Sequence, residues 1–206
     1  MSKPNQTPRP DPMRHAGEIA QYVEQDRVAM PPAGGIVFTG SSSVRLWDVK
    51  AGFPSLPVLN RGFGGSVYAD VIHFFDRVIT PYKPSTVVLY SGDNDAACGL
   101  RSEEIFHDFK QVVEMIFAAF PKARVLCMST KISPCRWELD EVIRGFNAMM
   151  ESFTRTDGRL RFVDIYHPML GADNRPRMEL FGPDGLHMTP AGYDVWNATL
   201  RPYLTA

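Results

Sequence analysis

Five short apolar runs, separated by longer segments of helical periodicity, are the feature of this sequence that most restricts its fold. The predicted strands are Ile36–Thr39, Pro57–Asn60, Thr86–Ser91, Arg124–Ser129 and Leu160–Asp164. The predicted helices of the same region are Val67–Val78, Ser102–Ala119, Trp137–Thr156 and Ala191–Leu204. Strands that alternate with helices need right-handed crossovers, so the sequence predicts an α/β domain with a five-stranded parallel sheet between two helical layers.

The N-terminal segment differs from the rest in composition. Residues 1–12 contain four prolines and almost no apolar side chains, so we expect a loose arm there. Apolar residues then recur at helical spacing from Met13 to Met30, which predicts an amphipathic helix packed on the domain or on a neighbouring molecule. The sequence therefore divides into an N-terminal arm and helix over 1–33 and one α/β domain over 34–206.

Charge and hydropathy exclude several function classes. The formal net charge is −1, and 22% of the residues are charged, with both signs interspersed. A nucleic-acid binder typically carries a basic patch, which this sequence lacks. No apolar stretch approaches the roughly 20 residues that cross a bilayer. We therefore expect no nucleic-acid partner and no integral membrane segment.

The cysteines bear on compartment and on metals. Cys98, Cys127 and Cys135 form no CxxC pair and have no histidine at the spacing of a zinc site. Reduced thiols are typical of cytoplasmic proteins, and the N-terminal segment lacks the apolar region of a secretory signal. We therefore expect a cytoplasmic protein without a metal or another cofactor.

Reactive side chains lie in four loops, three of them directly after predicted strands. The loops are Gly40-Ser41-Ser42-Ser43, Asn60-Arg61-Gly62-Phe63-Gly64-Gly65-Ser66, Gly92-Asp93-Asn94-Asp95 and Asp184-Gly185-Leu186-His187. Each loop also has an ordinary interpretation, because small and polar residues are common in turns. Ligands of open parallel sheets bind at the carboxyl ends of the strands, which makes the conjunction of the four loops informative.

The Asp-x-x-His spacing occurs twice in this sequence. Asp164 ends the fifth predicted strand and His167 precedes a proline, which indicates a strand-end turn with a surface or packing histidine. Asp184 and His187 lie in a Gly/Pro-rich loop directly before the last predicted helix. The second pair is therefore the preferred candidate for a catalytic role.

A serine, a histidine and a carboxylate together can perform acyl transfer. The serine hydroxyl becomes a nucleophile when neutral histidine removes its proton, and the carboxylate orients the imidazole. The oxyanion that forms needs preorganised donors. Gly65 and Ser42 can offer backbone N–H groups, and Asn94 can offer its side-chain amide.

These blocks, in this order, resemble those of the SGNH (GDSL-like) hydrolase family from about Ile36 to the last helix. The resemblance implies a flavodoxin-like sheet order and the nucleophile Ser42, with Asp184 and His187 completing the triad. It also implies that Ser42, Gly65 and Asn94 form the oxyanion hole. The loops around Gly65 and Asn94 are similar to those of platelet-activating-factor acetylhydrolase subunits, which implies a short acyl group such as acetyl.

One departure from the family pattern affects the assignment of the nucleophile. The family usually has aspartate between the glycine and the nucleophile, where this chain has Ser41, so Ser41 and Ser43 stay as alternatives to Ser42. The sequence predicts a serine esterase whose partner is a small acyl ester. An acyltransferase with a sugar or lipid acceptor and a non-catalytic binding module are the other two hypotheses, and the oligomeric state is open.

Overall fold

The structure is a computed structural model that describes residues 7–204. Its five strands are β1 (Ile36–Gly40), β2 (Val58–Gly62), β3 (Thr86–Tyr90), β4 (Arg124–Met128) and β5 (Leu160–Val163). All neighbouring strands are parallel, and their order is β2-β1-β3-β4-β5. The predicted five-stranded parallel sheet is confirmed, with strand ends within one or two residues of the prediction.

Nine helices surround the sheet in the described part of the chain. They are α1 (Ala16–Val28), α2 (Ser42–Arg45), α3 (Val49–Gly52), α4 (Tyr68–His73), α5 (Phe75–Val78), α6 (Asp93–Ala97), α7 (Ser102–Ala119), α8 (Asp140–Thr154) and α9 (Pro190–Leu204). Two predicted helices are shorter than expected. The segment 67–78 bends at Phe74 into α4 and α5, and the start of 137–156 belongs to a 3₁₀ segment, Pro134–Leu139, that precedes α8.

Strand residues alternate between two apolar layers, one on each face of the sheet. Val87 and Leu89 belong to the layer that α4, α5, α7 and α8 cover. Val88 and Tyr90 belong to the other layer, which contains residues of α2, α3 and α9. Because successive strand side chains point to opposite faces, this alternation confirms the predicted three-layer α/β/α architecture.

The register brings the carboxyl ends of the first three strands together. Gly40, the last residue of β1, pairs with Gly62 of β2 on one side and with Tyr90 of β3 on the other. The loops that follow these strands therefore leave the sheet side by side. This edge is where the chemistry-bearing loops were predicted to meet.

The N-terminal segment contacts the domain. Residues 1–6 of the predicted loose arm, and residues 205–206 of the predicted domain, lie outside the described residues. The described part of the arm is bound to α7, since Thr7 donates to Glu104 and Arg9 forms an ion pair with Asp108 at 2.9 Å. This part of the arm is therefore not loose. Helix α1 packs on the same side of the domain through Ile19, which belongs to the core.

Between residues 7 and 204, no helix has both the length and the apolar composition needed to cross a membrane. The thiols of Cys98, Cys127 and Cys135 are all free, and burial raises the pKa of Cys127.

Candidate active site

The turn after β1 determines where the three serines lie. Gly40 has φ +135°, and a Cβ atom there would lie 1.6 Å from the carbonyl oxygen of Tyr90. Only glycine fits this conformation and this close approach. The chain then turns at Ser41 into the short helix α2, whose first residue is Ser42.

Burial distinguishes Ser42 from its two neighbours. Ser41 is fully buried, and its Oγ has no hydrogen-bond partner among the described residues. Ser43 is also buried. Ser42 is half-buried, and its Oγ lies 3.1 Å from Nε2 of His187. Of the three hydroxyls, Ser42 alone is both accessible and in contact with a histidine.

The loop before α9 holds His187 in one orientation. Its Nδ1 lies 2.6 Å from Oδ2 of Asp184, while Oδ1 of the same carboxylate accepts the backbone N–H groups of Leu186 and His187. The pKa of Asp184 lies well below its usual range. The largest cause is the hydrogen bond from the Leu186 N–H, and the next is the hydrogen bond from the His187 side chain. An ionised Asp184 assigns the proton to Nδ1, which leaves Nε2 as the acceptor that faces Ser42.

The other Asp-x-x-His pair, Asp164 and His167, has the same local geometry. Nδ1 of His167 lies 2.7 Å from Oδ2 of Asp164, and the same carboxylate accepts the backbone N–H of His167. The side chain of His167 is 77% exposed, compared with 34% for His187. Ser129 is the serine next to this pair, but its hydroxyl bonds to Asp164 and not to the imidazole. The structure thus places a serine hydroxyl beside the imidazole of His187, while the serine beside Asp164 and His167 bonds to the carboxylate.

The loop after β2 presents a free backbone donor at Gly65. Gly65 has φ +73°, is exposed, and its N–H donates to no acceptor within the described residues. Two hydrogen bonds to the carbonyl oxygen of Gly40 hold the loop against β1, from Phe63 N at 2.9 Å and from Ser66 Oγ at 3.0 Å.

Asn94 lies in the first turn of α6, after β3. Its Nδ2 donates to the carbonyl oxygen of Ser66 at 3.1 Å, so this amide contacts the loop that carries Gly65. Its Oδ1 accepts from Nη1 of Arg136 at 3.0 Å. One hydrogen of the amide is left over for a ligand, because a primary amide has two donors and Ser66 takes one.

A charged cluster beside Asn94, made of Asp93, Lys131 and Arg136, was not assigned to the site from the sequence. Arg136 bonds to Asn94 and to Asp93. Lys131 is buried and also pairs with Asp93. Lys131 lies three residues after the end of the buried strand β4, and a lysine at such a place is the sequence signal that could have revealed this cluster. Arg61, in strand β2, instead pairs with Asp26 of α1.

The arrangement resembles that of serine hydrolases in its chemistry. A hydroxyl, an imidazole and a carboxylate form a chain of hydrogen bonds, and a backbone and a side-chain donor come from the loops beside it. Such a chain supports nucleophilic attack on a carbonyl carbon.

Comparisons with known proteins agree with this chemistry. The model of the GDSL-like lipase/acylhydrolase family matches residues 41–195, about three quarters of the chain. No curated protein matches the sequence significantly.

Solved structures show the same fold at low sequence identity. A candidate platelet activating factor from Streptococcus pneumonia is 19% identical, with a TM-score of 0.82 over 93% of this chain and 94% of that one. A GDSL-like lipase from Bacteroides thetaiotaomicron is 22% identical, with a TM-score of 0.78 over 91% and 97%. An acetyl esterase mutant with an acetate ion is 14% identical, with a TM-score of 0.68 over 84% and 96%.

The family match covers α2, which begins at Ser42, and the loop from Asp184 to His187. The chain belongs to the GDSL-like lipase/acylhydrolase family, and it is a carboxylic ester hydrolase.

Proposed function

We propose that this protein hydrolyses carboxylic esters of short acyl groups, such as acetyl, through a triad of Ser42, His187 and Asp184. The observation that carries the proposal is the continuous hydrogen-bond chain from Ser42 Oγ to His187 Nε2, at 3.1 Å, and from His187 Nδ1 to Asp184 Oδ2, at 2.6 Å.

In the acylation step, Ser42 Oγ attacks the ester carbonyl carbon and its proton passes to Nε2 of His187. Asp184 stabilises the imidazolium that forms, and the carbonyl oxygen becomes an oxyanion. When the tetrahedral intermediate collapses, the bond to the leaving alcohol breaks and the alcohol takes the proton from Nε2. Water then attacks the acyl-Ser42 ester by the same route, which releases the carboxylic acid and restores the hydroxyl.

The oxyanion hole is proposed to consist of the N–H groups of Ser42 and Gly65 and the amide of Asn94. Ser42 is the first residue of α2, and helices supply no acceptor to the N–H of their first residue. The Gly65 N–H is likewise unbonded in the described structure, and Asn94 has a spare amide hydrogen. Donors that need no reorganisation stabilise the transition state most effectively.

The short acyl group is the finer part of the proposal. It is supported by the similarity of the Gly65 and Asn94 loops to those of platelet-activating-factor acetylhydrolase subunits. The shared fold with an acetyl esterase whose structure contains acetate is consistent with it.

A fluorophosphonate probe tests the nucleophile. We expect it to label Ser42, and we expect Ser42→Ala to abolish labelling and to lower kcat for an acetyl ester by about 10³-fold or more. Ser43→Ala and Ser41→Ala are the matched controls, and both should keep the label. Labelling that survives in Ser42→Ala would refute the assignment.

The two histidines provide a second matched pair. His187→Ala should lose activity to the same extent as Ser42→Ala, because the base and the nucleophile act as a unit. His167→Ala should keep it, since that imidazole contacts Asp164 and no serine hydroxyl in the described structure.

A panel of esters with acyl chains of increasing length then tests the acyl group. The proposal requires kcat/KM to be greatest for acetyl and to fall as the chain lengthens, and a maximum at long chains would contradict it. Product analysis with an added sugar or lipid alcohol should give free acid; an acylated acceptor as the main product would indicate an acyltransferase.

A further inference from the structure

A cluster of charged side chains lies behind the amide of Asn94. Nη1 of Arg136 lies 3.3 Å from Oδ2 of Asp93, and Nζ of Lys131 lies 3.4 Å from the same oxygen. Lys131 also donates to Ser133 Oγ at 2.9 Å. The side chains of Lys131 and Asp93 are almost completely buried, and that of Arg136 is 18% exposed. Two basic side chains, Lys131 and Arg136, therefore share the carboxylate of Asp93 beside Asn94.

The Asn94 amide is held at both of its ends. Its Oδ1 accepts from Arg136 at 3.0 Å, and its Nδ2 donates to Ser66 O at 3.1 Å. A flipped amide would set its NH₂ group against the guanidinium and its oxygen against the Ser66 carbonyl. Both contacts would then be repulsive, so Arg136 and Ser66 together determine which way the donor points.

The bond from Arg136 is charge-assisted. A guanidinium that donates to the amide oxygen draws electron density from the amide, which makes the N–H groups at the other end stronger donors. The remaining hydrogen of Nδ2 is the one that the proposed mechanism directs at the oxyanion.

The segment that carries Arg136 also contacts the triad loop. Arg136 belongs to the 3₁₀ segment Pro134–Leu139, where the N–H of Cys135 donates to the carbonyl oxygen of Gly185 at 3.2 Å. Gly185 lies between Asp184 and His187 in the sequence. One short segment therefore connects the amide of Asn94 to the loop that holds the proposed base.

We propose that Arg136 is a positioning residue for the oxyanion hole, which orients and polarises the Asn94 amide from a cluster anchored by Asp93 and Lys131. The proposal rests on the proposed function, in which Asn94 is an oxyanion donor. Arg136 acts through Asn94 and does not contact the substrate.

A double-mutant cycle on kcat tests this directly. Asn94→Ala should lower kcat by about 10²–10³-fold, the usual effect of losing one oxyanion donor. Arg136→Met should lower kcat by about 10- to 100-fold with little change in KM, the range expected for a lost charge-assisted hydrogen bond. If Arg136 acts through Asn94, the double variant should match Asn94→Ala to within about threefold.

The control variants separate positioning from folding. Arg144→Met, on the exposed face of α8, should leave kcat unchanged, since the ion pair that Arg144 forms within residues 7–204 is with Asp140, at 4.0 Å. Arg136→Lys keeps the charge and should recover part of the kcat that Arg136→Met loses, at the same KM. Thermal unfolding of each variant measures the folded fraction, and if Arg136→Met does not fold, the cycle is run with Arg136→Lys.

Neutral and anionic acetyl esters, phenyl acetate and 4-acetoxybenzoate, complete the test. The kcat of Arg136→Met should fall by the same factor with both esters. A rise in KM confined to the anionic ester would show that Arg136 binds substrate, and multiplicative losses in the double variant would show that it acts independently of Asn94; either result overturns the proposal. If Asn94→Ala itself has full activity, the oxyanion assignment in the proposed function is what fails.

Discussion

Asp95, next to the proposed oxyanion donor Asn94, is a fully buried carboxyl group. It accepts the N–H of Tyr68 at 2.9 Å, the N–H of Gly92 at 3.1 Å and the hydroxyl of Ser91 at 3.2 Å. Burial, which penalises the charged form, outweighs these bonds and raises the pKa of Asp95 to about 7. This residue therefore titrates in the pH range where a hydrolase is assayed.

The raised pKa predicts how stability depends on pH. Folded protein holds this proton more tightly than the unfolded chain, whose aspartates titrate near 3.8. The contribution of Asp95 to stability is therefore greatest below about pH 4, falls as the pH rises to about 7, and is constant above that. Asp95→Asn keeps an amide oxygen as acceptor and cannot ionise, so it should remove this fall.

Urea unfolding of both proteins at several values between pH 5 and pH 8 measures the effect. The free energy of unfolding of wild type, relative to that of Asp95→Asn, should decrease with pH up to about 7. Parallel curves for the two proteins would show that Asp95 is ionised throughout.

At the scale of single residues, the sequence predicted candidate side chains that follow strands. Ser42, Asn94 and the Asp184–His187 loop all have local signals, namely a turn, a strand end or a short spacing. The Arg136–Asn94 bond joins residues 42 positions apart, through a segment whose conformation is not helical at Arg136. No local pattern encodes such a contact, which is why Arg136 was not assigned to the site from the sequence.

Among the elements, helix α1 contacts the Gly65 loop although it lies outside the matched family region, residues 41–195. Oε2 of Glu18 accepts the N–H of Gly64 at 3.1 Å, and the hydroxyl of Tyr22 donates to the carbonyl oxygen of Gly62. The guanidinium of Arg45 lies against Gly64. The N-terminal helix therefore supports the loop that presents the Gly65 N–H.

Removing the Glu18 contact should weaken catalysis without unfolding the protein. We expect Glu18→Ala to lower kcat for an acetyl ester by roughly 3- to 10-fold, the equivalent of one net hydrogen bond, because the Gly64 backbone loses its acceptor. Glu24→Ala on the same helix is the matched control, since Glu24 is exposed and, in the part of the chain that the structure describes, its ion pair is with Arg27. Equal kcat values for the two variants would contradict the role of Glu18.

The elements themselves were predictable where one physical signal dominated. The uninterrupted apolar runs of β3 and β4 and the regular periodicity of α7 gave bounds close to those observed. The bend at Phe74 was not predictable, because α4 and α5 continue the same apolar pattern and bury it in the same core. The order of the strands also needed the family resemblance, since periodicity does not specify which strands are neighbours.

At the scale of the whole molecule, α9 packs in the same apolar layer as α2, the helix that begins at the proposed nucleophile Ser42. Trp196 is fully buried, and its ring contacts those of Trp47, Tyr90 and Tyr193 at centroid distances of 5.2, 4.7 and 6.0 Å. These contacts connect the last helix to β3 and to the segment after α2. The helix that follows His187 is thus attached to the sheet by its largest side chain.

Truncating this side chain should be strongly destabilising. We expect Trp196→Ala to lower the free energy of unfolding by about 3–5 kcal/mol, the usual cost of removing a buried large aromatic residue. Trp137→Ala is the control, because Trp137 is only partly buried and stacks with Arg175 at 4.1 Å. Measured by urea unfolding, the decrease in the free energy of unfolding of Trp137→Ala should be several times smaller than that of Trp196→Ala. Equal decreases would mean that α9 is not anchored by Trp196.

The paired aspartate–histidine loops have a consequence for spectroscopy. Asp164–His167 and Asp184–His187 have Nδ1–Oδ2 distances of 2.7 and 2.6 Å, but one imidazole faces solvent and the other faces a serine hydroxyl. The molecule therefore contains its own reference ring for nuclear magnetic resonance. Subtracting the titration of His167 from that of His187, under identical buffer and temperature, isolates what the serine and its surroundings contribute.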